Sequence, residues 1–445
     1  MKFYNREKEL AQLDEIRQRS FTHHSQMTVI TGRRRIGKTK LILKSCEDTP
    51  TAYLFVSRNN EKTLCSLYTD ALRTSLGVFI ADGISSFVQL FEQVMALGMT
   101  RSFNLVIDEF QEFFNINPAV FSGMQDVWDR YKDTTHVNLL VSGSVNTLMH
   151  RIFMDYKEPL YGRCDTIMRL KPFSTAVMRQ IISDFSPKHT ADDLLALYCI
   201  TGGVPKYVEL LMDRGAYTAS DMIRRVSEEN SIFIDEGTIL LVQEFGKKYG
   251  NYFSILSAIA GGRNTAAEIS QAVGDASIGG MLARLEDDYQ LISKKRPVMS
   301  KERSQNVRYE ITDNFLRFWF RYMARRQDLL QMGLNDRLRD YITADYPTYS
   351  GLALEQWFRD KMRESGRYRT VGSWWDSRRG KDIDQSEVDI VAIPVNDSEP
   401  VLVAEVKRQR RNFKPELLEA KASHLRDKLF SGRTLETVCL TLNDM

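Results

Sequence analysis

Residues 27–39 read Met-Thr-Val-Ile-Thr-Gly-Arg-Arg-Arg-Ile-Gly-Lys-Thr. A short apolar run meets a glycine, four residues lead to a second glycine, and a lysine and a threonine follow before Leu41-Ile42-Leu43 opens a helical pattern. This is G-x-x-x-x-G-K-T in a strand–loop–helix frame, the form that a phosphate cradle requires. Glycines let backbone N–H groups approach phosphate oxygens, and the helix N-terminus adds positive potential. Gly32, Arg33, Arg34, Arg35, Ile36, Gly37, Lys38, Thr39 and Lys40 are therefore expected to hold ATP. Lys38 would reach the β/γ-phosphates and Thr39 would hold Mg²⁺.

Working outward, residues 27–31, 52–57, 104–108 and 138–142 are short apolar runs separated by helical segments. That alternation predicts an α/β domain with a parallel sheet. The third run ends in Asp108-Glu109. Asp108 is expected to hold Mg²⁺ through water, and Glu109 to orient and polarise the attacking water. In Leu139–Ser144, Ser142 or Ser144 would contact the γ-phosphate or that water, or else form a simple turn. Arg163, in Pro-Leu-Tyr-Gly-Arg, is a candidate finger reaching a neighbouring subunit's γ-phosphate, which predicts a homo-oligomer.

The whole chain has 445 residues and 43% hydrophobic composition, enough for about two to four domains, each with a core. Sixty-one Lys and Arg against 58 Asp and Glu leave +3, so any basic surface must be local. Five scattered cysteines argue against a disulfide framework and a zinc site. The charged N-terminus and the lack of about 18 consecutive apolar residues point away from secretion and membrane insertion. A cytoplasmic protein is expected.

Pattern changes divide the chain into 1–170, an α/β nucleotide-binding domain; 171–240, a helical lid; 241–312, a winged helix-turn-helix; 313–346, a helical connector; and 347–445, a second α/β domain. In the third segment a helix opens at Thr265 with Glu268 three residues on, and two β-like runs follow the third helix. The helix around Arg284 carries Glu286, Asp287 and Asp288, which oppose phosphate. The hairpin holds Lys294, Lys295, Arg296, Lys301, Arg303 and Arg308 and suits DNA better. A structural or regulatory joint is the other reading.

In the last segment Asp389 lies in one strand and Glu405 and Lys407 in the next, the latter two on one face because side chains alternate. Two carboxylates and an ammonium suit Mg²⁺ and a water activated against a phosphodiester. The metal ligands expected here are Asp389 and Glu405.

FYNREKEL at 3–10, GRRRIGKT, LVIDEFQ at 105–111, VSGS, LYGR at 160–163, PFS at 172–174 and TGGVPKY at 201–207 occur in an order that resembles the archaeal-type ATPases of the STAND branch of AAA-like P-loop proteins. The resemblance implies that Arg163 belongs to the glycine-arginine motif, that Gly203 and Pro205 lie against the base, and that Asn5 and Arg6 sit near the adenine. The D…E-x-K pattern is similar to that of the restriction-endonuclease-like fold, and Glu355 in the preceding helix matches its additional acid. Together these imply a P-loop ATPase, using ATP and Mg²⁺, with a C-terminal nuclease domain acting on DNA. The rival expectation is a nucleotide-controlled switch whose tail binds without cutting.

Overall fold

The computed structural model describes residues 1–246, 249–274, 277–376 and 387–445. They form two compact units, residues 2–172 and residues 173–445 together with Met1.

In the first unit, β1 (Gln26–Thr31), β2 (Thr51–Phe55), β3 (Phe103–Asp108), β4 (Val137–Ser142) and β5 (Thr166–Arg169) form one sheet in the order β2-β3-β4-β1-β5. All four pairings are parallel. Every residue of β1, β3 and β4 is buried, which explains why these strands read as unbroken apolar runs. Strand β5 escapes the sequence pattern because it is a four-residue edge strand with three residues at least partly exposed. Strand β4 lies between β1 and β3, so Ser142 ends the strand that separates the glycine loop from Asp108. The carboxyl ends of these three strands form one rim, the usual place for a ligand in a parallel sheet.

The second unit begins with helices. Ala191–Thr201 is buried over almost its whole length and is closed at its start by a reciprocal Thr190–Asp193 cap. Three further helices, Gly250–Ala260, Ala266–Val273 and Gly279–Asp287, precede the antiparallel hairpin of β6 (Ile292–Lys295) and β7 (Arg308–Ile311). The Thr265–Glu268 box caps the middle helix as the sequence predicts. A four-stranded sheet follows, ordered β11-β10-β9-β8, from β8 (Tyr368–Trp375), β9 (Glu387–Pro394), β10 (Val401–Val406) and β11 (Leu435–Leu440). Its β10–β11 pair is parallel and its other pairs are antiparallel.

Two expectations need correction. The boundary drawn between residues 346 and 347 falls inside one 30-residue helix, Asn335–Glu364, which runs through Pro347. Proline removes one backbone donor there, yet buried Tyr346, Tyr349 and Ser350 on either side anchor the helix by tertiary packing. The β6–β7 loop does not offer its whole basic surface to solvent. Val298 is buried with Trp374, Val388 and Val401, and its N–H donates to Ser373 O at 3.0 Å. Gly372 makes this docking possible, since a Cβ there would lie 2.8 Å from the Val298 side chain. Arg308 pairs with Glu387 at 2.6 Å and lies over the Trp375 ring. Arg296, Lys301 and Arg303 stay exposed.

Candidate active site

In the first unit the glycine loop carries φ +145° at Gly32, +67° at Arg35 and +92° at Gly37. A Cβ on Gly32 would lie 2.9 Å from Leu170 O, so this glycine is required by space as well as by angle. Lys38, the first residue of helix Lys38–Ser45, is buried and donates to Gly32 O at 2.7 Å and Arg33 O at 3.1 Å. The loop thus encircles its own lysine.

Residues far apart in sequence converge on Asp108. Thr39 Oγ1 donates to its Oδ2 at 2.8 Å, the Tyr53 hydroxyl to the same oxygen at 2.7 Å, and the Glu109 N–H to Oδ1 at 3.0 Å; the Ser142 hydroxyl also donates to Oδ1. Burial opposes the charged carboxylate. The bonds from Ser142, Tyr53, Thr39 and the Glu109 backbone outweigh it and hold Asp108 below the usual carboxylate range. Burial, followed by the bond to Asp108, pushes the Tyr53 phenol well up, so it stays a donor.

Glu109 has a left-handed backbone, φ +56° and ψ +39°. Its Oε2 accepts from Ser144 at 2.7 Å and from the Gln111 amide. The two serines of Ser142-Gly-Ser144 therefore bind the two acids, one each. Gly143 has no room for a side chain, because a Cβ would collide with Gln111 and Met149. Tyr53 and Gln111 were not identified as site residues from the sequence. The signal for Tyr53 was a hydroxyl-bearing ring in an otherwise apolar strand beside the acidic one.

The remaining residues expected around the nucleotide are more dispersed. Arg6 is buried and donates to Lys171 O at 2.7 Å and to Glu9 at 2.8 Å. Asn5 is exposed with φ +43°. Arg163 bonds Tyr161 O at 3.0 Å and Asp129 at 3.2 Å. Gly203 and Pro205 belong to the second unit. Gly203 has φ +72° and accepts from Phe173 N–H at 2.8 Å, and Pro205 starts helix Pro205–Met212.

Residues 3–211 match a family of ATPase domains found predominantly in Archaea. The first unit carries an archaeal-type P-loop ATPase domain. Over 414 residues the chain is 29% identical to an uncharacterized protein of Methanocaldococcus jannaschii, covering 91% of this chain and 87% of that protein. The Walker-type ATPase of Pyrococcus abyssi shares the fold, with TM-score 0.54 and 17% identity over 72% of this chain and 96% of that one. The ORC2 protein of Aeropyrum pernix aligns with TM-score 0.49 and 15% identity, over 75% of this chain and 95% of that one. Beyond the ATPase domain, residues 319–421 match a family of archaeal and bacterial proteins of unknown function.

In that C-terminal region the expected acids do meet. Lys407 Nζ lies 2.7 Å from Glu405 Oε1 and 3.9 Å from Asp389 Oδ2, and Asp389 Oδ2 accepts the Val406 N–H at 2.8 Å. Lys421, buried on helix Pro415–Leu429, adds a second ammonium 3.1 Å from Glu405 Oε2. Burial, then the Glu405 charge, raise the Asp389 carboxyl, against the Val406 N–H and Lys407. Burial, then Asp389, push Glu355 up to about 8, opposed by Arg359. Arg359 ties these parts together, donating to Asp389 O at 3.0 Å, Ser373 Oγ at 2.9 Å and Glu355 at 3.4 Å. Among the described residues no three His, Cys, Asp or Glu side chains form a metal-sized group, so Glu355 does not join Asp389 and Glu405 around one point. Among them, too, no helix is long and apolar enough to cross a membrane.

Proposed function

We propose that this protein binds ATP with Mg²⁺ in its first unit, hydrolyses it, and uses the second unit to act on DNA. The observation that carries the reading is the 2.8 Å bond from Thr39 to Asp108, which joins the two halves of a nucleotide site across 69 residues of sequence. Hard oxygen donors, a hydroxyl and an ionised carboxylate, fit Mg²⁺, which keeps much of its water. Thr39 and Asp108 would hold the ion, which supplies neutralisation of phosphate charge. Lys38 would leave the loop carbonyls for the β/γ-phosphates. Glu109, steadied by Ser144 and Gln111, would take the attacking water, and the backbone of Gly32–Lys40 would wrap the phosphates. Asn5, Arg6, Gly203 and Pro205 would border the base. Arg163 would exchange its Asp129 partner for a neighbouring subunit's nucleotide. Nucleotide titration of the full chain with and without Mg²⁺, compared with Lys38→Ala, tests this. Equal affinity in both proteins would exclude the loop.

For the second unit we propose a restriction-endonuclease-like domain that cuts DNA. Asp389, Glu405 and Lys407 lying together on neighbouring strands supports it. Two carboxylates completed by water fit Mg²⁺, which here would supply Lewis acidity at the phosphate. Lys407 would face the developing charge, while Lys421 and Arg359 fix Glu405 and the Asp389 backbone. The hairpin would serve as a joint, with Arg296, Lys301 and Arg303 available to DNA. A specific observation favours the rival, a regulatory tail that binds without cutting: both Glu405 oxygens are already occupied by ammonium groups. Incubating the full chain with duplex, single-stranded and branched DNA, in Mg²⁺ or Mn²⁺, separates the two. Cleavage abolished by Glu405→Ala supports the nuclease, whereas binding without cleavage supports the switch.

A further inference from the structure

The β6–β7 loop docked on β8 encloses space as well as surface. A cavity of about 580 Å³ lies between them and helix Asn335–Glu364, within the second unit. Eight Lys and Arg residues line it against four Glu. Some of this charge is spent locally, because Arg308 pairs with Glu387 and Arg321 with Asp345. Lys295 is different. Among the described residues it makes no ion pair or hydrogen bond, and both Arg359 and Arg363 face it with like charge, with Glu310 and Asp360 the opposing acids.

Two hydroxyls on the same cavity also lack partners. Tyr349 is 2% exposed and its OH is unbonded, as is the buried Ser300 Oγ. A buried hydroxyl without a partner is uncommon and costs about 1–3 kcal/mol. A cation held among other cations, beside two idle donors, is a site built for an anion with several acceptor oxygens. Ile259, Pro297 and Leu352 give the cavity an apolar side. The volume falls in the range of small-molecule sites, far beyond a bare phosphate. A phosphate joined to a sugar and a flat base matches the donors, the apolar side and the size together.

We propose that this cavity binds a nucleotide through its phosphate, with Lys295, Arg359 and the Tyr349 hydroxyl as donors. The nucleotide is either free or the end of a DNA strand. The site is separate from the glycine loop of the first unit. It adjoins the Asp389 cluster through Arg359, so it also rests in position, though not in chemistry, on the cutting reading.

The test is calorimetric titration of the full chain with thymidine 3′,5′-bisphosphate in EDTA, where no metal-dependent cutting can occur. Failure of the nuclease reading therefore leaves this result untouched. Lys295→Gln should weaken binding at least about tenfold, the value of one charged hydrogen bond. Tyr349→Phe, which keeps the ring and removes only the idle hydroxyl, should weaken it several-fold while thermal stability is kept. Competition by a 5′-phosphorylated single-stranded oligonucleotide would identify a strand end as the source. Binding of the bisphosphate without such competition would identify a free nucleotide. Unchanged affinity in both variants, or no binding to the wild type, would overturn the proposal.

Discussion

Asp108 and Asp389 are both buried or largely buried carboxylates set among the ends of β-strands, and their surroundings treat the charge in opposite ways. Around Asp108 four neutral donors converge, none of them cationic, and the carboxyl titrates below its usual range. Around Asp389 one backbone N–H and an ammonium compete with a second carboxylate, and the carboxyl titrates above it. The first site is ionised and shaped in advance for a cation. The second balances acids against lysines internally, so whatever binds there must displace an existing ion pair. Removing one partner of a buried pair is strongly destabilising, which makes ligand exchange at Glu405 the demanding step.

The largest effect expected from this contrast is at Glu109. Glu109→Gln keeps the bonds from Ser144 in shape but removes the charge that polarises water, and should slow ATP hydrolysis by roughly 10²–10⁴ with nucleotide affinity kept. Rapid-quench turnover alongside equilibrium binding checks it. Loss of binding as well would break the division of labour between Asp108 and Glu109. If Arg163 acts in trans, Arg163→Ala should lose turnover while keeping affinity, and wild-type activity per subunit should rise with protein concentration. A concentration-independent rate would remove that role.

The next effect is on stability and has a worked sign. Glu355 has a raised folded value, so between the unfolded value of about 4.3 and about 8 the folded state binds more protons. Stability should therefore fall as pH rises through that window. Glu355→Gln should flatten the slope and raise the melting temperature at pH 8 by a few degrees. Thermal melts from pH 5 to 9 measure this, and parallel curves would contradict the assignment.

Much of the first unit was legible because its signals are local. A glycine loop, an acid pair after an apolar strand and Ser-Gly-Ser each sit within a few residues, and the apolar runs reflect strands buried on both faces. Tyr53 was not, since its reach to Asp108 depends on β2 pairing beside β3. The C-terminal acids were readable from strand alternation, but Lys421 was not singled out. Its signal was present: it occupies a buried helical position between Leu418 and Leu425, where a lysine needs a partner. The docking of the β6–β7 loop depends on Val298 meeting Gly372, more than 70 residues on, and no local pattern announces it.

The smallest effect sharpens the Asp108 side. Tyr53→Phe removes one of four bonds, about 1 kcal/mol, and should raise the Asp108 carboxyl. A depressed carboxylate contributes stability above its unfolded value, and that contribution is lost as pH falls through the folded value. In Tyr53→Phe the loss should begin at higher pH, and the acid limb of the ATP hydrolysis profile should move up with it. An unmoved limb would mean that Ser142 and Thr39 suffice.

The central claim is that ATP chemistry belongs to the first unit and is independent of the Asp389 cluster. Its most direct test is steady-state ATP hydrolysis by three full-length proteins in Mg²⁺: the wild type, Lys38→Ala and Glu405→Ala. The account predicts turnover in the wild type, its loss in Lys38→Ala and an unchanged rate in Glu405→Ala; hydrolysis that survives Lys38→Ala would contradict it.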